Sequence, residues 1–417
     1  VKGVQILARD VDSQWHPKTR ETANMISAEH RAIVRSTVPL LEQGGEALTT
    51  HFYRILLDEH PEVRPYFNHA NQATGEQPRA LANGVLMYAK HIDRLEALGD
   101  LVGTIINKHV SLRIRRDHYP VVGASLLRAI REVLGADIAT DAVLEAWGAA
   151  YQQLADILGS AEEEIYDRVA STPGGWRDGR AFVVAHKVQE SDEITSFHFV
   201  PVDGSAVIAH EPGQYIGLRV QVGDHDMRRN YSLSAASNEK GYRISVKRVP
   251  GGAVSNHLHD DVHVGDTVEL FPPSGHFVLE HNDRALVLIS GGVGITPTLA
   301  MLQAALATDR PIHFIHSARH GGVHAFRDAI DGLAAKHPRL RRYYCYEAPR
   351  EGDAEPDATG FLDKDLLAAW LPATDAMDAY YLGPKPFMKA VRRALRDLGV
   401  PDTRAKYEFF GPASSLD

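Results

Sequence analysis

The 417-residue chain has a single cysteine, Cys345, so it can form no intrachain disulfide and no cysteine-based zinc or iron–sulfur site. A fold that needs no oxidising compartment is expected in the cytoplasm. The N-terminus lacks the basic, apolar and small-residue regions of a secretory signal, because charges are scattered through residues 1–24. An excess of positive charge is missing too. With 45 Lys plus Arg against 54 Asp plus Glu, the net charge of −9 gives no field to attract a phosphate backbone or an anionic membrane, so no nucleic acid partner is expected. Long apolar runs are scarce. Residues 285–307 carry no charge, but Gly291, Gly292, Gly294 and Pro297 divide them into a short β-branched run, a loop and a helix. That pattern reads as a buried strand and a packed helix, and no integral membrane span is expected.

The composition, 44% apolar and 24% charged, is that of water-soluble packed domains, and the length suggests two or three of them. From Ile26 to about Val169 the apolar spacing is helical throughout. Residues 170–176 gather Pro, Gly and small side chains as a junction does. Short β-rich runs follow at 180–188, 194–200, 214–220, 229–234 and 242–248, spaced as in an antiparallel barrel. From Ala285 onward, strand-like runs at 285–290, 311–317, 342–347 and 379–382 alternate with helices, the rhythm of a parallel sheet. The expected division is an extension at 1–24, an all-α domain at 25–169, a linker at 170–176, an antiparallel β-barrel at 177–282 and an α/β domain at 283–417.

Three groups of residues in the helical part carry polar chemistry toward a core. Leu101, Val102, Ile105 and Ile106 form an apolar helix face that His109 continues. A core histidine bonded to a carbonyl is the bland reading of that position. Phe52, Tyr53, Leu56 and Leu57 form another face, which carries a phenol inward. Phe67 enters from a turn, and Gln77 and Leu81 lie four apart. Pro78 directly follows Gln77, so that helix is expected either to begin at Pro78 or to kink there.

In the β-rich part, Arg229-Asn230-Tyr231-Ser232 places a cation, a ring and a hydroxyl where a phosphate and a flat ring system could be held. Pro212-Gly213-Gln214-Tyr215 precedes it. Gly251-Gly252-Ala253-Val254-Ser255 follows, with free N–H groups at a helix start. Gly291-Gly292-Val293-Gly294-Ile295-Thr296-Pro297 then links a strand to a helix, letting backbone approach a pyrophosphate, although the spacing is not the full G-x-G-x-x-G fingerprint. The next strand ends in His316-Ser317-Ala318-Arg319, whose arginine could accept a nucleotide 2′-phosphate.

The order Phe52-Tyr53, Pro61-Glu62, Phe67-Asn68, Gln77, Lys108-His109, Asp117-His118-Tyr119, Trp147…Tyr151 and Glu162…Tyr166, followed by these reductase motifs, resembles the flavohaemoglobin family over about residues 25–417. The resemblance implies an all-α globin domain, an antiparallel Greek-key β-barrel binding FAD, and an α/β parallel-sheet domain binding NADH or NADPH. It implies haem b with His109 as proximal iron ligand, Tyr119 and Glu162 as its proximal partners, and Lys108 beside it. Tyr53 and Gln77 would be the distal pair, with Phe67 and Leu81 walling the pocket. Tyr215, Arg229, Asn230, Tyr231 and Ser232 would hold the flavin, and Gly252, Val254 and Ser255 its pyrophosphate. Gly291 to Thr296 and Arg319 would take the nicotinamide nucleotide, while Glu408, Phe409, Phe410, Gly411 and Pro412 would cover the flavin. Leu382 and Phe409 stand where family members usually carry cysteine.

The implied activity is nitric oxide dioxygenation, with O2 and NO as small-molecule partners of a monomer. The alternatives are an oxygen-binding or redox-sensing haemoprotein whose reductase only keeps the iron ferrous, and a flavin reductase whose helical domain carries no haem.

Overall fold

A computed structural model describes residues 26–67 and 76–410, without the side chains of Glu76, Gln77 and Asp100. Residues 1–24, expected as an extension, lie outside the described residues, as do Gly411 and Pro412. Among the described residues, the chain divides into two compact units, one up to Ser171 and the other from Thr172 to Phe410.

The first unit is all helical: α1 Ala28–Ser36, α2 Val38–Glu59, α3 Glu76–Lys90, α4 Gly99–Leu112, α5 Tyr119–Leu134 and α6 Asp141–Ser171. Ser27 starts α1 by accepting the His30 N–H on its hydroxyl at 3.0 Å, which satisfies one of the unpaired donors of a helix start. Pro39 sits in the first turn of α2, where its missing N–H breaks no bond. The buried face of α2, with Leu48, Phe52, Ile55 and Leu56, packs into a core shared with Ile106, Leu126, Trp147 and Leu158. Gly123 lets α5 and α6 meet closely: a Cβ there would lie 2.5 Å from the Tyr151 ring. The α3 helix already includes Glu76 and Gln77, so Pro78 is not its first residue. Its early position in the helix explains the tolerance, because the first helical N–H groups have no intrahelical acceptor to lose. The Pro78 carbonyl accepts the buried Thr49 hydroxyl at 2.9 Å, tying this turn to α2.

The second unit holds two sheets. The first has the order β4-β3-β6-β1-β2-β5, with every pairing antiparallel. Its strands are β1 Arg180–Gln189, β2 Ile194–Pro201, β3 Tyr215–Val222, β4 His225–Ser232, β5 Tyr242–Lys247 and β6 Thr267–Leu270. Phe182, Phe197, Ile216, Leu218 and Ile244 fill its core, closed by the short helix α7 Ala253–Asp260 through Val254 and Leu258. β4 begins at His225 and ends at Ser232, earlier at both ends than the expected 229–234 run. The four-residue β6 has no counterpart among the expected runs.

The second sheet has the order β10-β9-β8-β7-β11-β12 and is wholly parallel. Its strands are β7 Ala285–Gly291, β8 Ile312–Ala318, β9 Leu340–Tyr346, β10 Ala358–Thr359, β11 Met377–Leu382 and β12 Ala405–Tyr407. Helices α8 Ile295–Ala305, α9 Arg327–Lys336, α10 Lys364–Trp370 and α11 Lys385–Asp397 lie between them in sequence. Every residue of β7 and β11 is buried, as expected of central strands covered on both faces. The strand order reverses between β7 and β11, and ligands of such sheets bind outside the carboxyl ends of the strands at that reversal. No described helix is long and apolar enough to cross a membrane.

Candidate functional site

In the helical unit, three helix segments bring three side chains together. His109 lies in the last turn of α4, which ends when Arg113 takes a left-handed conformation (φ 58°) and the Ile114 N–H bonds back to the His109 carbonyl at 3.0 Å. Tyr119 opens α5, and Glu162 sits about two-thirds of the way along α6. Glu162 Oε1 accepts from His109 Nδ1 at 2.7 Å and from the Tyr119 hydroxyl at 2.7 Å, and the same hydroxyl lies 3.2 Å from His109 Nδ1. Glu162 is 1% exposed. Burial, then the Glu162 charge, pushes the Tyr119 phenol far up, so it stays a hydrogen-bond donor. With Nδ1–H given to the carboxylate, the lone pair of the imidazole is on Nε2, as a metal-binding histidine requires. The residues therefore fit a haem iron. Tyr151, not singled out as a site residue, supports them by donating its hydroxyl to the Tyr119 carbonyl at 2.7 Å.

Tyr53 is 7% exposed and lies edge-on to Phe52 at 5.0 Å and to Phe67 at 5.6 Å between ring centroids. Leu81 packs against the same core. The Gln77 side chain lies outside the described residues. Lys108 is exposed, turned away from the half-buried His109 by the helical step of about 100° per residue.

In the antiparallel sheet, β4 is an edge strand, with Arg229, Asn230, Tyr231 and Ser232 all half-buried. Strand alternation puts Arg229 and Tyr231 on one face and Asn230 and Ser232 on the other. Ser232 and Tyr231 stand opposite Tyr215 and Ile216. Burial works against the charge of Arg229, which donates to the Arg228 carbonyl at 2.7 Å and meets no carboxylate among the described residues. A partly desolvated guanidinium in that state suits a phosphate. Gly252 caps α7, while the Ser255 hydroxyl donates to the Gly252 carbonyl and accepts the Val249 N–H, each at 3.3 Å. Val254 is 2% exposed and its side chain belongs to the barrel core, so only its backbone is available to a ligand. Gly213, in the Pro212–Tyr215 motif, and Gly275, which no motif marks, have φ of 108° and 110°; a Cβ would lie 2.1 Å from the Phe277 carbonyl oxygen at the first and 2.8 Å from the Tyr215 ring at the second.

At the reversal of the parallel sheet, Gly291 ends β7, Gly292 takes a φ of +54° and Gly294 leads into α8. Gly294 lies against the end of β11: a Cβ there would be 2.4 Å from the Leu382 carbonyl oxygen. A Cβ on Gly291 would meet the Phe387 ring at 3.1 Å. Phe387 thus covers the glycine turn. Thr296 turns its hydroxyl to the Val293 carbonyl at 3.0 Å, and Ile295 is fully buried, so backbone is what this turn offers. Arg319 pairs with Glu193. Phe409 contacts Tyr407 edge-on at 5.6 Å, and Phe410 is 51% exposed. Glu408 is half-buried beside them, while Gly411 and Pro412 lie outside the described residues.

Three family models match along the chain: a globin at residues 50–158, an oxidoreductase FAD-binding domain at 181–279 and an oxidoreductase NAD-binding domain at 288–393. A flavohemoprotein of Burkholderia sp. (strain TH2) is 66% identical over 94% of this chain and all of its own. A flavohemoglobin from Malassezia yamatoensis, whose crystal structure holds FAD and heme, matches with a TM-score of 0.80 at 26% identity, covering 93% of this chain and 100% of that one. The FAD/NAD-binding domain of a nitric oxide dioxygenase from Vibrio cholerae matches with a TM-score of 0.53 at 38% identity, covering 57% of this chain and 100% of that one. A globin joined to FAD- and NAD-binding modules defines the class, a haem-containing flavoprotein oxidoreductase. The chain belongs to the flavohemoprotein family.

Proposed function

We propose that this protein is a nitric oxide dioxygenase of the cytoplasm, acting as a monomer, that converts NO and O2 to nitrate at the expense of NAD(P)H. The proposed division places haem at residues 25–169, FAD at 177–282 and the nicotinamide nucleotide at 283–417. The bound groups supply hydride acceptance, conversion of a two-electron donor into single-electron steps, and oxygen binding at iron. The protein's own residues do the rest. His109 presents Nε2 because Glu162 and Tyr119 fix its other nitrogen, and this bond raises the basicity of the ligand. Tyr53, whose ring lies between Phe52 and Phe67, would act as a hydrogen-bond donor of the distal pair, with Gln77 proposed as the other member. Arg229 and the Gly252 turn would hold the flavin phosphates, and the Gly291–Gly294 turn those of the nucleotide.

The observation that carries this reading is the His109–Glu162–Tyr119 cluster, because a histidine kept only for packing needs no buried carboxylate to orient it. The name of the Vibrio relative supports NO as the substrate. Tyr53→Phe should retain haem and flavin while losing at least about tenfold in NADH-driven NO consumption, measured with an NO electrode. Unchanged turnover would remove Tyr53 from the reaction. If NO consumption by the unmodified protein does not exceed that of free flavin, the oxygen-binding or redox-sensing alternative replaces the reading.

A further inference from the structure

The turn between β1 and β2 of the antiparallel sheet reaches the segment that follows β8. The Asp192 N–H donates to the Gly322 carbonyl at 2.8 Å, and a Cβ on Gly322 would lie 2.5 Å from the Asp192 carboxylate. This contact fixes the backbone beside Glu193. The Glu193 carboxylate then bridges two cations: one oxygen pairs with Arg319, and the other lies 3.1 Å from Lys247 Nζ. The side chain of Glu193 is 28% exposed and that of Arg319 is 55% exposed. Burial raises the proton affinity of Glu193, but the bonds from Arg319 and Lys247 outweigh it and hold the carboxylate below its usual range.

Arg319 stands where nucleotide choice is made. In the parallel register Ser317 of β8 lies beside Gly291 of β7, so the β8 end flanks the glycine turn at the binding edge of the sheet. In dinucleotide folds an acidic group near the end of the second strand favours the ribose 2′-hydroxyl, and an arginine there accommodates a 2′-phosphate. Here the arginine is present and an acid from another sheet occupies it.

We propose that Glu193 is a specificity-determining residue that holds Arg319 away from a nucleotide 2′-phosphate and so favours NADH over NADPH. A 2′-phosphate would have to break the Glu193–Arg319 pair and then sit near a carboxylate no longer neutralised by Arg319. Both terms oppose NADPH and neither touches NADH. Lys247 keeps the carboxylate in place even while Arg319 is withdrawn, so the repulsion persists. This inference rests on the reading of residues 283–417 as the nucleotide domain.

The test is equilibrium binding of adenosine 2′,5′-bisphosphate and of 5′-AMP to the full-length holoprotein, measured by calorimetry without turnover. In Glu193→Gln the ratio of the two affinities should shift toward the bisphosphate by about fivefold or more. In Glu193→Gln combined with Arg319→Ala that gain should vanish. Glu193→Asp, whose backbone contacts are the same but whose reach is one methylene shorter, should fall between. A ratio within about twofold of the unmodified protein in both single variants overturns the proposal while leaving the nucleotide site standing, as does a gain that survives in the double variant. Failure of both ligands to bind the unmodified protein would overturn the nucleotide site itself and this inference with it.

Discussion

Glu162→Gln separates what holds iron from what holds the fold. The carboxylate is 1% exposed, and a single oxygen, Oε1, accepts both the His109 N–H and the Tyr119 O–H at 2.7 Å. Hydrogen bonds to a charged acceptor contribute about 1.5–3 kcal/mol each, against about 0.5–1.5 for neutral ones, so losing the charge should weaken the two together by roughly 2 kcal/mol. The amide also places an N–H2 where Oε2, which has no hydrogen-bond partner among the described residues, now lies. Removing a buried charge, however, relieves a desolvation cost, which offsets part of that loss in the haem-free protein. The two states should therefore respond unequally. Haem should leave Glu162→Gln about 10- to 100-fold faster, the range for a group that orients a metal-binding histidine. The assay is haem transfer to excess apomyoglobin followed in the Soret band, with chemical denaturation of the haem-free protein as the control. Haem loss at the original rate with the fold intact would refute the claim that Glu162 acts through His109.

Gly294→Ala should reduce the rate of flavin reduction by NADH by at least about tenfold while flavin content is kept, because the new Cβ would lie 2.4 Å from the Leu382 carbonyl and force the turn from β11. Anaerobic stopped-flow bleaching of the flavin measures this, and an unchanged rate would show that the turn yields without consequence. Acid should weaken the second unit. Burial holds His316 down at about 3 and His210 at about 4, and pushes His324 well below its ordinary value. Their folded affinities are depressed, so as pH falls below about 6.5 the unfolded chain takes up protons first. The stability each contributes is complete above that pH and is lost toward pH 3–4, at up to about 1.4 kcal/mol per pH unit for each histidine. The denaturant midpoint for flavin release, compared at several pH values in the unmodified protein and His316→Asn, should show a shallower acid slope in the variant. Identical slopes would exclude His316 as a source.

The three-part architecture was legible because each part has its own period. Helical spacing runs through Leu101 to His109, β-rich runs follow Arg180, and strands alternate with helices after Ala285. Strands too short to repeat their alternation several times were not legible. β10 has two residues, β12 three and β6 four, and they exist because neighbouring strands leave hydrogen-bonding edges for them. The meeting of His109 with Glu162 came from the order of motifs rather than spacing, since 53 residues separate them. Other contacts left no such trace. Glu193 and Arg319 are 126 residues apart, each an ordinary surface charge until the fold pairs them. Phe387 over Gly291 and Tyr215 over Gly275 depend on the absence of a Cβ from residues that local sequence marks only as turns.

Helix α6 works as a ruler. Tyr151 and Glu162 are eleven residues apart, close to three full turns, so both project from one side of the helix toward the Tyr119 that begins α5. One grips the backbone of Tyr119 and the other its phenol. Inserting a single residue between them would swing Glu162 through about 100°, taking the carboxylate off His109 while leaving the Tyr151 contact and most of the core in register. Inserting four would nearly restore the angle but displace Glu162 by about 6 Å along the axis. The distance between two packing contacts on this one helix is therefore also the tolerance within which the electronic setting of the histidine can be kept.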